Sequence, residues 1–319
     1  MVRFLDPREF DRAARLLVDA YPYRSHEPRS WLRPAPSEQA RRWGAFGLMT
    51  DRAAQADAPL TGYGALWVVE PRKLRFDVIV SPPHAHAGIG RVLFETVLAD
   101  ATSAGAATLQ ARALATDEEA LGFLARRQFV ETMRMRGFVL SLSTIDTQGI
   151  AAKAVAPPRV SIGDVMSADC ADDGFWRRLA ELHEAAREGW PDPDPGGIRT
   201  PIEPDGLRSM LMPSAGMPVA FAVASCDGRF VGYSLLRRRP TPGEVQFGAT
   251  AVRPGYRRQG IAMALRIRCL AAARRAGYVI ARSASGSDGL IRINAKLGFR
   301  ETYCEVRLVR DLSATRAPV

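Results

Sequence analysis

The sequence is short of lysine, of closely spaced cysteines and of long apolar runs. Only three of its 44 basic residues are lysines and 41 are arginines, an excess that we ascribe mainly to a GC-rich genome. The four cysteines form no C-x-x-C pair, which argues against a zinc site and favours reduced thiols in the cytoplasm. No apolar run approaches the roughly 20 residues of a membrane span. Charge follows Met1 too soon for a secretory signal.

Length and charge leave several classes of protein open. A chain of 319 residues predicts two domains, because single domains usually hold about 100–200 residues. With 47% hydrophobic and 24% charged residues, the composition is that of a globular protein. The net charge of +10 permits a polyanionic partner such as nucleic acid or a phosphate-bearing cofactor. The arginines are spread along the chain, with one compact run at Arg237-Arg238-Arg239, so nucleic-acid binding ranks last among these hypotheses.

The chain repeats itself. Residues 80–90 read VSPPHAHAGIG and residues 252–262 read VRPGYRRQGIA, which match at an offset of 172. Residues 129–132, FVET, match residues 299–302, FRET, at an offset of 170. Two matches in the same order with similar offsets indicate two copies of one domain. We therefore predict domains at 1–147 and 159–319, joined by a proline-containing linker at 148–158.

Both copies predict the same order of elements, which is a helix, a hairpin, a third strand, a glycine-containing turn, a long helix, and then strand, helix and strand. In the first copy the opening elements are predicted at 7–20, 43–50, 61–69, 73–80 and 88–104. In the second they are predicted at 171–188, 218–225, 230–237, 245–252 and 260–276. The Asp-Gly at 227–228 indicates a tight hairpin. This order predicts a mixed α/β fold.

The turn before the second long helix can bind an anion. A strand that runs through a glycine loop into a helix leaves backbone N–H groups unpaired at the helix start. Gly260 lets the backbone approach a ligand, and Arg257 and Arg258 add charge suited to phosphate. The loop lacks the Gly-Lys-Ser/Thr of a Walker loop and the third glycine of a dinucleotide fingerprint. A phosphate or pyrophosphate is therefore the predicted ligand.

Two motifs together resemble a known family. Val252-x-Pro254-x-Tyr256-Arg257-x-x-Gly260-Ile261-Ala262 resembles the acetyl-CoA motif of the GNAT N-acetyltransferases, and residues 294–299, NAKLGF, resemble the signature that closes that family's last helix. The resemblance implies two tandem GNAT domains, each a central mixed β-sheet flanked by helices. It implies acetyl-CoA as co-substrate, no metal, and direct attack of a small molecule's primary amine on the thioester.

The resemblance also implies which residues hold the coenzyme. In the second copy these are Val252, Arg257, Arg258, Gln259, Gly260, Ile261 and Ala262. The matching positions in the first copy are Val80, Gly88, Ile89, Gly90 and Arg91. Ala85 and His86 replace the two loop arginines in the first copy, so we predict that the first copy is structural or binds coenzyme without turnover.

The acid–base residues are less clear. Gln246 stands where histone-type members of the family have a glutamate, and a glutamine cannot accept a proton. Glu244 lies on the same strand face and could act through a water molecule. Asn294 occupies the position at which the family often has a tyrosine as general acid. An asparagine there could donate a hydrogen bond but no proton. Tyr303 could serve as the acid instead. At the offset of 172, Leu74 matches Gln246 in the first copy.

These observations leave two main hypotheses and a third class. The first is a cytoplasmic N-acetyltransferase, monomeric or homodimeric, whose second copy is catalytic. The second is an acyl-CoA-binding sensor or scaffold without catalytic activity, which the missing acid and base would favour. The third, a nucleic-acid-binding protein, would need a basic face with interleaved aromatic residues.

Overall fold

The structure is a computed structural model that describes residues 2–20, 40–46, 59–143, 157–190, 200–212 and 218–313. Within these residues the chain forms two compact units, each with a mixed β-sheet that has helices on both faces. The predicted mixed α/β fold is therefore confirmed. The predicted linker at 148–158 lies outside the described residues except for its last two positions.

The elements follow the order that the sequence predicts, except that a short strand precedes the first helix of each copy and the second copy has two additional short helices. The strands are β1 (Val2–Phe4), β2 (Ala40–Phe46), β3 (Leu60–Glu70), β4 (Lys73–Val80), β5 (Thr108–Leu114), β6 (Val130–Ser141), β7 (Val160–Asp164), β8 (Ala220–Cys226), β9 (Arg229–Arg238), β10 (Glu244–Val252), β11 (Ile280–Ser285) and β12 (Arg300–Asp311). The helices are α1 (Phe10–Ala20), α2 (Ile89–Ser103), α3 (Glu118–Ala125), α4 (Ser167–Ala171), α5 (Asp173–Arg187), α6 (Pro204–Leu211), α7 (Ile261–Arg275) and α8 (Asp288–Lys296).

The first unit has the strand order β1-β2-β3-β4-β5-β12. Its neighbouring strands run antiparallel except for the parallel pair of β4 and β5. On one face α1 packs through Leu17 against Tyr63 and Trp67 of β3. On the other face α2 packs through Phe94 against Phe76 of β4. The parallel pair therefore lies inside a sheet that is covered on both sides.

The second unit repeats this plan with the strand order β6-β11-β10-β9-β8-β7. Here the parallel pair is β10 and β11. Helix α7 packs one face of the sheet through Leu265, beside Phe247 of β10. Helix α5 packs the opposite face through Leu179, beside Tyr233 of β9. We call this second side the α5 face.

Local sequence signals account for several boundaries. Asp227 and Gly228, between β8 and β9, have φ of 49° and 78°, which a type I′ hairpin turn requires. The long helices end at Ser103 and Arg275, two residues before Gly105 and Gly277, which have φ of 72° and 84°. These predictions are confirmed. Strand β2 begins at Ala40, three residues before its predicted start, and residues 47–50 lie outside the described part of the chain.

The two units exchange their last strands. Among the described residues, those up to Met133 and from Glu305 onward form unit 1, and those from Arg134 to Cys304 form unit 2. Residues from Glu305 of β12 pair with β5, whereas residues from Arg136 of β6 pair with β11. The units thus differ from the ranges 1–147 and 159–319, because the repeat shows where each copy ends but not which sheet takes its last strand.

Candidate functional site

The loop between β10 and α7 has the backbone geometry of an anion site. A 3₁₀ turn at Pro254–Tyr256 follows β10, and Gly260 caps α7 with a φ of 84°, a left-handed conformation that glycine adopts without strain. The Ala264 N–H donates to the Gly260 carbonyl at 3.0 Å. The N–H groups of the three residues before Ala264 have no intrahelical acceptor. Together with the helix dipole they attract an anion.

The two arginines of this loop have different surroundings. Arg257 is half-buried, and its Nε donates to the Val252 carbonyl at 3.1 Å while Nη2 donates to the Ala186 carbonyl at 2.8 Å. Ala186 lies in the last turn of α5, so Arg257 ties the loop to that helix. Arg258 is exposed with a φ of 64°, and it forms no hydrogen bond or ion pair with the described residues. Arg258 is therefore the arginine that is available to a ligand.

The other predicted coenzyme residues of the second copy offer mainly backbone groups. The side chains of Val252 and Ile261 are buried in the core on the α7 side, so only their backbone atoms can reach a ligand. Ala262 is half-buried. Gln259 is exposed, and its Nε2 donates to the Gly255 carbonyl at 3.2 Å, which stabilises the turn.

Strand β10 is irregular just before this loop. Its pairing with β9 shifts between Phe247 and Thr250, which is the mark of a β-bulge. Its parallel pairing with β11 ends where Gln246 lies opposite Arg282. Beyond that pair the described strands separate, which leaves backbone groups of β10 free to pair with an extended ligand.

Unit 1 repeats the loop. Gly88 caps α2 with a φ of 80°, His86 takes the place of Arg258 with a φ of 60°, and the Val92 N–H donates to the Gly88 carbonyl at 3.1 Å. Among the other predicted residues of this loop, Val80, Ile89 and Gly90 are half-buried and Arg91 is exposed, with its Nε 3.3 Å from Glu95 Oε1. The backbone of an anion site is therefore present in both units.

The strand before the loop differs between the units. Strand β4 has eight residues and pairs with β3 without a shift from Val80 to Leu74, whereas β10 has nine residues. The additional residue of β10 is the bulge. In unit 1 a buried ion pair also joins β4 to β5, with Arg112 Nη2 3.4 Å from Asp77 Oδ2. These side chains lie two residues beyond the last parallel pair, where the strands of unit 2 separate.

The bulge corrects one sequence match. The parallel ladders begin at Lys73 in unit 1 and at Glu244 in unit 2. Counted from these ends, Gln246 corresponds to Arg75 rather than to Leu74. The offset of 172 holds only on the far side of the bulge, because the inserted residue changes the register by one.

Two of the three predicted catalytic residues lie in one cluster of side chains on the α5 face. We call Arg239, Glu244, Gln246, Arg282 and Tyr303 the arginine cluster. Arg282 binds both carboxylate oxygens of Glu244, with Nε–Oε2 at 2.7 Å and Nη2–Oε1 at 3.1 Å. Arg239 Nε lies 3.0 Å from the same Oε2, and Arg239 donates to the Gln246 side-chain oxygen.

This environment determines what Glu244 can do. The Arg282 hydrogen bond holds the pKa of the Glu244 carboxyl below its ordinary value, although burial opposes the shift. Glu244 is therefore ionised and engaged with two guanidinium groups, which makes it a weak proton acceptor. Tyr303 lies near both arginines, and its ring packs against Gly137 of β6, where a side chain would clash with it.

The third predicted catalytic residue, Asn294, lies apart from the arginine cluster. It is fully buried, and its Oδ1 accepts a hydrogen bond at 2.7 Å from Nη2 of Arg266, which is also buried. Arg266 further donates to Ser283 Oγ at 3.0 Å and stacks 3.6 Å from the Phe247 ring centroid. Burial lowers the pKa of Arg266 to about 9. Asn294 therefore stabilises a buried cation that neutral groups surround.

Arg239, Arg266 and Arg282 are site residues that sequence reasoning missed. The run Arg237-Arg238-Arg239 offered one sequence signal for Arg239. Because strand side chains alternate, Arg237 and Arg239 point to one face and Arg238 to the other. Nothing local marked Arg282 as the partner of Glu244, since the two residues stand on neighbouring strands 38 residues apart in the sequence.

A buried histidine–tyrosine pair lies on the α5 face. His183 Nδ1 is 2.6 Å from the Tyr233 hydroxyl, and the two rings stack at an angle of 22°. Trp190 packs edge-on against His183 at 5.1 Å. Burial lowers the pKa of His183 to about 4, so the imidazole is neutral at pH 7. The pair therefore forms part of the packing between α5 and β9.

Two kinds of feature are absent from the described residues. Between residues 2 and 313, wherever the structure describes side chains, no group of three or more His, Cys, Asp or Glu residues is placed to hold a metal ion. Over the same residues no helix is both long and apolar enough to span a membrane.

A bulged strand, a glycine-capped helix start and a separating parallel pair define an α/β domain of the kind that the sequence motifs resemble. Residues 177–299 match the model of the acetyltransferase (GNAT) family. Strand β10, the loop and helix α7 all lie inside the matched segment. The family match therefore covers the candidate site of unit 2.

Solved structures extend the likeness to the whole chain. A GCN5-related N-acetyltransferase from Sphaerobacter thermophilus is 18% identical, with 100% of this chain and 96% of that one covered and a TM-score of 0.73. A tandem GNAT protein from the clavulanic acid biosynthesis pathway is 17% identical, with 98% of each chain covered and a TM-score of 0.69. No curated protein sequence matches significantly. At these identities the likeness establishes the tandem GNAT fold.

Proposed function

We propose that the protein is an acetyl-CoA-dependent N-acetyltransferase whose second unit carries the reaction. A primary amine of a small molecule attacks the thioester directly, without a covalent enzyme intermediate. The observation that carries this proposal is the bulge of β10, which lies between the separating parallel strands and the anion loop. Unit 1 has the loop but lacks the bulge, and its Asp77–Arg112 ion pair bridges the corresponding strands.

The residues present fit acetyl-CoA, which supplies the acyl group as a thioester. The helix-start N–H groups and the exposed Arg258 would hold its pyrophosphate, since both favour negative charge. The unpaired backbone of β10 beyond Gln246 would bind the extended arm of the coenzyme as a further strand would. Arg257 positions the loop through its bonds to Val252 and Ala186.

We assign Tyr303 as the general acid, which donates a proton to the departing thiolate of the coenzyme. Of the predicted catalytic residues, Glu244 is engaged with two guanidinium groups and Asn294 is buried beside Arg266. The Tyr303 hydroxyl can donate a proton, and its cationic neighbours would stabilise the phenolate that remains. Glu244 then acts as a positioning residue that holds Arg239 and Arg282. We further propose that the protein acts in the cytoplasm as a monomer or a homodimer.

A coenzyme-binding sensor without turnover is the second candidate. The observation that favours it is the chemistry at the family's acid and base positions, where Gln246 binds Arg239 and Asn294 binds Arg266. Neither amide can transfer a proton. Coenzyme binding without acyl transfer to any amine of a broad panel would support the sensor.

The test compares the same substitution in both loops. Gly260→Asp and Gly88→Asp each place a carboxylate at a helix N-cap with nearly the same φ, 84° and 80°. Calorimetry of the full-length protein with acetyl-CoA should give one site. Gly260→Asp should abolish that site and any transfer, because the carboxylate repels the coenzyme phosphates. Gly88→Asp should retain both. If Gly88→Asp loses acetyl-CoA binding and Gly260→Asp keeps it, the reaction belongs to unit 1.

A further inference from the structure

Arg266 of α7 is a buried cation with neutral surroundings. The residue is 1% exposed, and no carboxylate pairs with it in the described part of the chain. Its guanidinium group faces four neutral side chains, which are those of Phe247, Thr250, Ser283 and Asn294. Among the described residues, the titratable group that acts on it is the thiol of Cys269 on the same helix, whose pKa burial raises to about 12. Because burying a charge without a counter-ion is costly, packing alone does not account for Arg266.

The hydrogen bonds around Arg266 leave one hydroxyl proton unused. A guanidinium group only donates, so the Asn294 side-chain oxygen faces Arg266 and the Asn294 Nδ2 faces Ser283. Ser283 Oγ therefore accepts two hydrogen bonds, from Arg266 Nη2 at 3.0 Å and from Asn294 Nδ2 at 3.3 Å. The Ser283 O–H itself donates to no residue that the structure describes, although Ser283 is only 4% exposed. Ser283 thus retains a buried hydrogen-bond donor that a neighbouring cation polarises.

This donor lies where β10 and β11 separate. The parallel ladder ends at Arg282 of β11, and Ser283 is the next residue along that strand. Arg266 reaches across the separation on the α7 side, because Nη2 bonds Ser283 while Nη1 lies 3.4 Å from Thr250 Oγ1 on β10. Its guanidinium carbon lies 3.6 Å from the ring centroid of Phe247, beside the bulge. An extended arm that runs from the anion loop along β10 would therefore carry its sulfur towards Ser283.

We propose that Ser283 donates a hydrogen bond to the sulfur of the departing coenzyme, and that Arg266 is the positioning residue that polarises Ser283 and stabilises the negative charge. The inference rests on the proposed function. As the amine nitrogen bonds to the carbonyl carbon, the carbon–sulfur bond breaks and sulfur keeps the electron pair. Sulfur remains a thiolate until the proton of Tyr303 reaches it, while the amine releases a proton to water and water reprotonates Tyr303. A buried cation stabilises this thiolate because its charge is poorly screened.

The test concerns the thiol of bound coenzyme A rather than a reaction rate. Titration calorimetry of the full-length protein gives the Kd values of coenzyme A and acetyl-CoA between about pH 6 and 8.5, the upper limit being the ordinary pKa of a thiol. Acetyl-CoA has no thiol, so the ratio of the two Kd values cancels the titration of groups that act on both ligands. Arg266, with a pKa of about 9, keeps most of its charge over this range.

The wild type should bind coenzyme A relatively more tightly as the pH rises, because the thiolate is the favoured form. If the site lowers the pKa of the bound thiol by about one unit, the Kd of coenzyme A relative to that of acetyl-CoA should fall roughly fivefold by pH 8.5. The sign follows from linkage, since a group whose pKa is lowered in the complex contributes affinity that increases with pH.

Two variants assign this effect, and a third is the matched control. Ser283→Ala removes the donor, and Arg266→Met removes the charge while keeping an unbranched side chain that adapts to the core. Each should bind acetyl-CoA and lose the pH-dependent change of the Kd ratio. Arg275→Met makes the same substitution at an exposed position at the end of α7 and should keep the full change.

The outcomes separate this inference from the proposed function. A wild type that binds both ligands with a Kd ratio independent of pH overturns the inference and leaves the proposed function standing. A pH-dependent ratio that persists in Ser283→Ala or in Arg266→Met overturns it as well, because charged groups of the α5 face such as Arg282 would then be its source. Absence of binding of both ligands overturns the proposed function instead. The wild-type ratio and Ser283→Ala decide the matter even if Arg266→Met does not fold.

Discussion

Substitution of Arg257 should lower stability rather than act directly on the ligand. Arg257→Ala removes two hydrogen bonds from a guanidinium group, to the Val252 carbonyl at 3.1 Å and to the Ala186 carbonyl at 2.8 Å. Hydrogen bonds of charged groups contribute about 1.5–3 kcal/mol each. Because Arg257 is half-buried, we expect the lower part of this range, about 3–4 kcal/mol for both. A loss of that size lowers the melting temperature of a domain of this length by roughly 5–15 °C.

The neighbouring arginine supplies the matched control. Arg258→Gln leaves the fold without a lost contact among the described residues, and glutamine keeps the same steric cost at a φ of 64°. Its melting temperature should match the wild type, while its Kd for acetyl-CoA should rise by roughly tenfold, one charge-assisted contact. Scanning calorimetry and titration calorimetry on both variants measure these quantities. An Arg257→Ala variant with unchanged melting temperature but no coenzyme binding would refute the reasoning.

Two further predictions concern the α5 face. The pKa of His183 is about 4 when folded against 6.5 when unfolded, so His183 contributes about 3 kcal/mol above pH 6.5 that is lost as the pH falls towards 4. Urea unfolding at several pH values should show this pH dependence of the free energy of unfolding in the wild type and in His84→Phe, a control at an exposed histidine. The dependence should be absent in His183→Phe. An unchanged dependence in His183→Phe would contradict the assignment. Tyr303→Phe should lower kcat by about 10²-fold or more and leave the Kd for acetyl-CoA unchanged. Wild-type kcat in that variant would exclude Tyr303 as the acid.

The backbone of the site could be predicted from the sequence because its signals are local. The turn at Asp227-Gly228, the cap at Gly260 and the glycine after each long helix each determine the conformation of their own few residues. Strands and helices between them follow from patterns of two or three to four residues. The repeat also placed the loops of both units in register.

The side-chain chemistry could not be predicted in the same way. Glu244 has the right residue type and strand face for a base, but Arg282 and Arg239 come from other strands and change what it can do. Asn294 is a candidate through its position in a motif, whereas its hydrogen bond to Arg266 depends on packing within the core. Such pairings depend on tertiary contacts that a single sequence does not record.

The exchanged strands have a consequence for the order in which the protein can fold during synthesis. The part of β12 that completes the sheet of unit 1 begins at Glu305, near the end of the chain. A ribosome that adds about 5–20 residues per second needs roughly 10–40 s to reach it after the rest of that sheet has emerged. Until then β5 presents an unpaired edge, which is prone to pair with other chains. Unit 1 therefore matures last although it is made first, and the nascent chain is most exposed to aggregation during that interval.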